Sequence, residues 1–319
     1  MQGASNLEII AIVATCCLVI AGWVRWKYDL TAALVVVACS AAALACVWIR
    51  FELLPIESWR HGYLSRTLVI FAIPAAVAAV GAAWVRRQRK RRGTTDPTVT
   101  AFDQWAFLIA LWLGPSAVIY FSQLRPTSDG PDPQWSNLLW WAGVASAIYI
   151  TIPIVYAMLT RQRIRTYGLS LGFIKTEASL LLLVSPLIAA LAWLASSDAR
   201  FQATYPFYKT ALDDPNSGWK LFGFEIAYGL SFVALEFFFR GFLVHAGSPI
   251  LGVHSVAIMS FSYCLLHLGK PMPECAASLV GGLVLGFVSL RLKSIAVGVV
   301  AHLTLAWGVD AAVTANRPG

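Results

Sequence analysis

The chain has 319 residues, 58% of them hydrophobic and only 13% charged. Its mean hydropathy is +0.69. A water-soluble domain of this size would carry nearer a quarter charged residues, so the composition excludes a soluble enzyme or carrier and reads as an integral membrane protein. The net charge of +8 does not point to nucleic acid, because the basic residues sit at the ends of apolar runs, where they set orientation.

The apolar runs are long and continuous rather than alternating, so the expected fold is all-α and polytopic rather than a β-barrel. About ten transmembrane helices are expected, near 7–24, 30–49, 67–85, 104–122, 137–159, 178–196, 221–246, 254–268, 275–290 and 294–312. The run after Glu8 lacks the basic start and small-residue cleavage site of a secretory signal and is expected to remain as the first span. The cluster Arg86, Arg87, Arg89, Lys90, Arg91 and Arg92 anchors the topology. By the positive-inside rule it is cytoplasmic, and alternation from it puts both termini outside. Next to a membrane it can also meet anionic lipid.

Residues 1–92 read as an N-terminal three-span unit, 93–103 as a linker and 104–319 as a second membrane domain. The stretch Gln123 to Gln134, with Pro126, Gly130, Pro131 and Pro133, is an expected exposed turn. In the longer loop Ser196 to Lys220, the aromatics Tyr205, Phe207 and Tyr208 are expected to mark the membrane interface, as are Trp26, Trp48, Trp140 and Trp141 near span ends. Gly282 and Gly286 have the small-xxx-small spacing that lets helices approach closely. The six cysteines lie mostly within apolar runs. They show no CxxC or Cys/His metal spacing, and read as small buried hydrophobes.

One span breaks the apolar rule. Leu221 to Ala246 carries Glu225, Glu236 and Arg240. An ionised side chain at membrane depth costs roughly 2.5–3.5 kcal/mol on insertion scales, so such residues are seldom kept without use. Glu236 and Arg240 are one helical turn apart and can form a buried ion pair. That pair can also serve only to hold helices together. Two histidines belong with them, His267 and His302, each on its own span. At about 1.5 Å of rise per residue, Glu236, His267 and His302 fall within roughly 10 Å of one depth.

A buried Glu can take a proton from water, a neutral His can hold that water, and a second His can steady an oxyanion. This is equipment for amide hydrolysis. The same groups can bind a metal or relay protons in a transporter. No HExxH-type spacing supports a metal, and neither metal nor cofactor is expected.

The motifs resemble those of the CPBP family: CAAX-type prenyl-protein endopeptidases with bacteriocin-processing and self-immunity relatives. The family pattern is EExxxR, FxxxH and HxxxN on successive helices. It is matched by Leu235-Glu236 to Arg240, Tyr263 to His267 and His302 to Ala306. The resemblance covers about residues 220–312 and implies an intramembrane glutamic-type endopeptidase acting on a peptide or protein, which can be lipid-modified, among membrane lipids. It implies catalytic Glu236, His267, His302 and Arg240: Glu236 activating water with His267, His302 aiding the oxyanion, Arg240 setting the charge of Glu236. A bacterial inner (plasma) membrane is the expected location.

Two departures stand out. The family's first Glu is Leu235, and the Asn of its third motif is Ala306. Tyr263 replaces the Phe of the second motif and is a secondary site residue, one turn from His267, able to supply a lost hydrogen bond. A catalytically weakened relative that binds a partner or confers self-immunity, and a proton-coupled transporter, stay open as alternatives.

Overall fold

The computed structural model describes residues 5–54, 63–94, 96–124, 132–169, 174–212 and 217–316. These residues form α-helices with short 3-10 and π segments and no strand. The protein is an all-α polytopic membrane protein. The helices are α1 (Asn6–Lys27), α2 (Leu30–Trp48), α3 (Tyr63–Arg91), α4 (Ala101–Gln123), α5 (Pro133–Thr160) and α6 (Ile174–Ala195). They continue as the short α7 (Ala199–Thr204), then α8 (Gly218–Glu236), the short α9 (Ser248–Leu251), α10 (His254–Leu266), α11 (Met272–Leu292) and α12 (Ala296–Ala315). Each of the ten expected spans coincides with a helix. Most of the Gln123 to Gln134 turn lies outside the described residues.

Polar residues set where several helices start. Ser5 and Glu8 form a capping box on α1, and Thr100 and Asp103 form one on α4. Asp29 and Asp132 accept from backbone N–H groups at the heads of α2 and α5. These side chains satisfy donors that a helix leaves unpaired at its N-terminus. Between the caps, apolar composition does the rest. Proline sits inside α3, α4, α5 and α6, which membrane helices tolerate because neighbouring groups re-satisfy the backbone.

Among the described residues, nine helical segments are long and apolar enough to cross a membrane. The tenth, α10, has 13 residues, about 20 Å at 1.5 Å each, short of a hydrocarbon core of about 30 Å. It does not need that length, because protein surrounds it. Every residue from His254 to Leu265 is buried. Helices α2, α3 and α11 pack around it, and α1 packs on α11. The N-terminal helices therefore cover the helix that carries Tyr263 and His267. The expected close approach of α11 is present. A Cβ on Gly286 would stand 2.7 Å from Met259 Cε and 2.8 Å from Val256 Cγ1, both on α10.

On the other side of the molecule, α8 packs between α5 and α12, and α12 packs on α6. The loop before α8 differs from expectation. Tyr205 and Tyr208 are buried, not displayed at an interface. Phe207 makes edge contacts with Trp141 and Tyr228. The tyrosine hydroxyls explain the inward turn: Tyr208 donates to Asp132 Oδ2 (2.5 Å) and Tyr205 to Glu274 Oε2 (2.7 Å). Each hydroxyl finds an acceptor inside, so its ring can be buried. Trp26, by contrast, stands exposed near the end of α1.

Candidate active site

The α-helical pattern of α8 ends at Glu236. The next seven residues, Phe237–Leu243, form a π-helix. Such wide turns are rare and are found disproportionately at functional sites. Here the turn carries Arg240. Phe238, Phe239 and Phe242 are wholly buried around it, and pack on Tyr149, Tyr156 and Tyr167. The aromatic bed fixes the wide turn, and the wide turn sets where the guanidinium points.

Glu236 is 0% exposed and Arg240 1%. Arg240 Nη1 lies 3.0 Å from Glu236 Oε1. The same oxygen is 2.6 Å from His302 Nδ1. One carboxylate oxygen thus meets both a guanidinium and an imidazole. Glu236 Oε2 has no hydrogen-bond partner among the described residues and faces Gly298 on α12, where a Cβ would overlap it. Close approach at that glycine lets α12 bring His302 onto the acid.

The chain of bonds continues. His302 Nε2 is 2.7 Å from the Tyr263 hydroxyl. With Nδ1–H donating to the carboxylate, Nε2 is left as the acceptor for the tyrosine O–H. Phe232 stacks on the His302 ring at 4.8 Å between centroids and holds its plane. Arg240 Cζ sits 3.9 Å above the Tyr263 ring, a cation–π contact of the kind that strengthens away from water. Arg240, Glu236, His302 and Tyr263 form one buried, connected unit.

His267 joins it differently. Its Nδ1 is 2.9 Å from the backbone oxygen of Tyr263, and its ring lies edge-on to the Tyr263 ring at 4.5 Å. It caps the end of α10 and is only half-buried, the most open of the five side chains. Donation from Nδ1–H leaves Nε2 as a lone pair. Among the five residues, Tyr263 is the one that touches both histidines.

All five residues singled out from the sequence therefore lie together, but the direct partner of Glu236 is His302 rather than His267. Neither departure is a member of the bonded unit. Leu235 packs against the main hydrophobic core, and Ala306 is buried beside Tyr208, Phe224 and Tyr228. Three contributors gave no signal in the sequence: Gly298, Phe232 and Ser289. The last donates to the Arg240 backbone oxygen at 3.0 Å and meets His245 Nε2 at 3.1 Å. Among the described residues, no three His, Cys, Asp or Glu side chains converge as a metal site.

A buried carboxylate–imidazole–phenol chain in a helical membrane protein defines a class of site rather than a particular protein. The comparison with known families narrows it. The family model described as type II CAAX prenyl endopeptidase Rce1-like matches residues 216–308. That segment contains Glu236, Arg240, Tyr263, His267 and His302, and is similar to a membrane protease family. No curated protein and no solved structure matches the chain.

Proposed function

We propose that the protein is a membrane endopeptidase of the CAAX-protease type, cleaving a peptide or protein segment at the membrane. The observation that carries this reading is the unbroken chain from Arg240 through Glu236 and His302 to Tyr263, with His267 beside it. Glu236 and Arg240 act on His302, fixing its Nδ1–H tautomer, as a carboxylate does for a catalytic imidazole. His267 Nε2, the open nitrogen of the group, holds the attacking water and takes its proton. The water oxygen bonds to the scissile carbonyl carbon. The Tyr263 hydroxyl turns from His302 to donate to the developing oxyanion. The C–N bond then breaks, and the proton held on His267 passes to the leaving amine. In this reading Tyr263 does part of the work of the Asn that Ala306 replaces, and residues 1–92 form a three-span unit that buttresses α10.

In this reading the substrate is an apolar or lipid-modified segment held at the membrane. A second reading draws on Leu235 and Ala306: a relative that keeps the cavity and binds a partner, as in self-immunity, without cleaving it. The two separate in one experiment. Purified protein in liposomes is given a mixture of C-terminal peptides, prenylated and unprenylated. Cleavage that His267→Ala abolishes supports the endopeptidase. Retained binding with no cleavage by wild type supports the second reading.

A further inference from the structure

Where α5 ends, the chain makes a tight and well-bonded turn. Arg161 ends the helix with a left-handed backbone, φ 55°. The Gln162 N–H closes on the Ala157 carbonyl at 2.9 Å. A single 3-10 turn, Ile164–Thr166, follows. In it the Thr166 and Tyr167 N–H groups donate to the Arg163 and Ile164 carbonyls, each at 2.9 Å. The backbone that carries Gln162, Arg163 and Arg165 is thus set before any ligand arrives, which lowers the ordering cost of binding.

These three side chains line one groove of about 480 Å³, with Ala157, Met158 and Ile164. Small-molecule sites usually span about 300–1,000 Å³. Arg163 and Arg165 are exposed, and among the described residues neither guanidinium has an ion-pair or hydrogen-bond partner. The Tyr167 hydroxyl donates to Gln162 Oε1 at 3.1 Å, so the amide NH2 is the end left to bind something else. No Asp or Glu occurs between Asp132 and Glu177. The groove therefore offers two guanidiniums and an amide, all donors, with no acid of this segment to occupy them. Their complement is an anion with several oxygens, and arginine forks match phosphate oxygens two at a time.

The helix above the groove selects among such anions. Val155, Met158 and Leu159 are strongly exposed. With Gln162 they stand at i, i+3, i+4 and i+7, on one face of α5. In a membrane helix that face meets acyl chains, and it runs directly into the donors. An anion with an apolar tail uses both surfaces, whereas free phosphate uses only the groove. The Arg86 to Arg92 run lacks this pairing of donors with an apolar stripe. Its side chains stand along an exposed helix end, and Arg89 already donates to the Pro249 carbonyl.

We propose that the groove at the end of α5 is a binding site for an anionic phospholipid. Arg163, Arg165 and the Gln162 amide hold the phosphate, and an acyl chain lies along Met158, Leu159 and Val155. Basic pockets at the ends of membrane helices are suited to such head groups. The site borders the catalytic turn without sharing a residue with it. Tyr167 makes an edge contact with Phe242 at 5.6 Å, and its carbonyl is so close to Gly241 that a Cβ there would stand 2.8 Å away.

The test is native mass spectrometry of delipidated full-length protein in detergent micelles, titrated with dioleoylphosphatidylglycerol. The first molecule should bind about tenfold more tightly than dioleoylphosphatidylcholine, whose phosphate carries its own cation. Inorganic phosphate and glycerol phosphate should not displace it. Arg163→Gln with Arg165→Gln should weaken this first binding by about tenfold. Arg91→Gln with Arg92→Gln removes the same charge from the end of α3 and should leave it within about twofold. Met158→Glu keeps both arginines but sets an acid among them, and should match the loss in the Arg163 and Arg165 double variant. Equal affinity for the two lipids, displacement by glycerol phosphate, unchanged binding in either groove variant, or an equal loss in the α3 variant would each overturn the proposal. None of these readouts depends on peptide cleavage.

Discussion

Gly298 and Glu236 touch without a side chain between them: the carboxylate Oε2 rests where the glycine Cβ would be. Arg240 and His302 hold the acid from the other side, so it has no free direction in which to retreat. Gly298→Ala is therefore expected to overpack the seam and destabilise the fold by about 1–3 kcal/mol. In a Glu236→Ala background the clash disappears, and the same glycine change should have little effect. Thermal unfolding of the two single variants and the double variant measures this coupling.

The Tyr263 hydroxyl is the only atom of that side chain bonded to His302, while its ring supports Arg240. Tyr263→Phe removes the hydroxyl and keeps the ring. Catalysis should fall about 10²- to 10³-fold, the size associated with losing one oxyanion donor, with KM little changed and the melting temperature lowered, because His302 Nε2 loses its buried donor at a cost of about 1–3 kcal/mol. Steady-state kinetics on any cleaved peptide give the split between kcat and KM.

Restoring the family acid is expected to harm this protein. Leu235 packs against the main core, and the positive charge beside Glu236 is already engaged by it. Leu235→Glu places a second carboxyl in that interior, at a cost of roughly 2.5–3.5 kcal/mol for a charge at membrane depth. Membrane yield and thermal stability should drop, and activity should not rise. A gain in turnover would mean that the site is a weakened form of the two-acid arrangement.

Much of this was legible in the chain. Helix positions follow from continuous apolar runs, and Glu236, His267 and His302 share a depth because rise per residue is constant. Backbone spacing does not reveal which side chain reaches which partner across a helix seam. That is why Glu236 bonds His302 rather than His267, and why Gly298, with no side chain, gave no signal. The π-helical turn after Glu236 depends on aromatic packing from α5, which periodicity in α8 does not contain. Tyr205 and Tyr208 look like interface residues until Asp132 and Glu274 are placed beside them.

At the head of α5, partial burial acts to raise the Asp132 carboxyl, but the Tyr208 hydroxyl and Lys220 outweigh it and hold it down to about 2 from an ordinary 3.8. A folded-state value below the unfolded one gives stability that is complete above the unfolded value and lost as pH falls through the folded one. The Asp132 contribution should thus be whole near neutral pH and fade between 3.8 and about 2. Melting temperatures of wild type and Asp132→Asn should differ at neutral pH and converge at the acid end. A constant gap across that range would contradict the assignment.

The central claim is that water, activated beside His267 and Tyr263, becomes part of a new carboxyl group. The direct measurement is peptide cleavage by wild-type protein in liposomes in oxygen-18 water, read by mass spectrometry of the products. The account predicts one heavy oxygen in the new C-terminal carboxyl for wild type and no product from His267→Ala. Cleavage by His267→Ala at the wild-type rate, or no labelled product from wild type with any prenylated or unprenylated peptide, would contradict it.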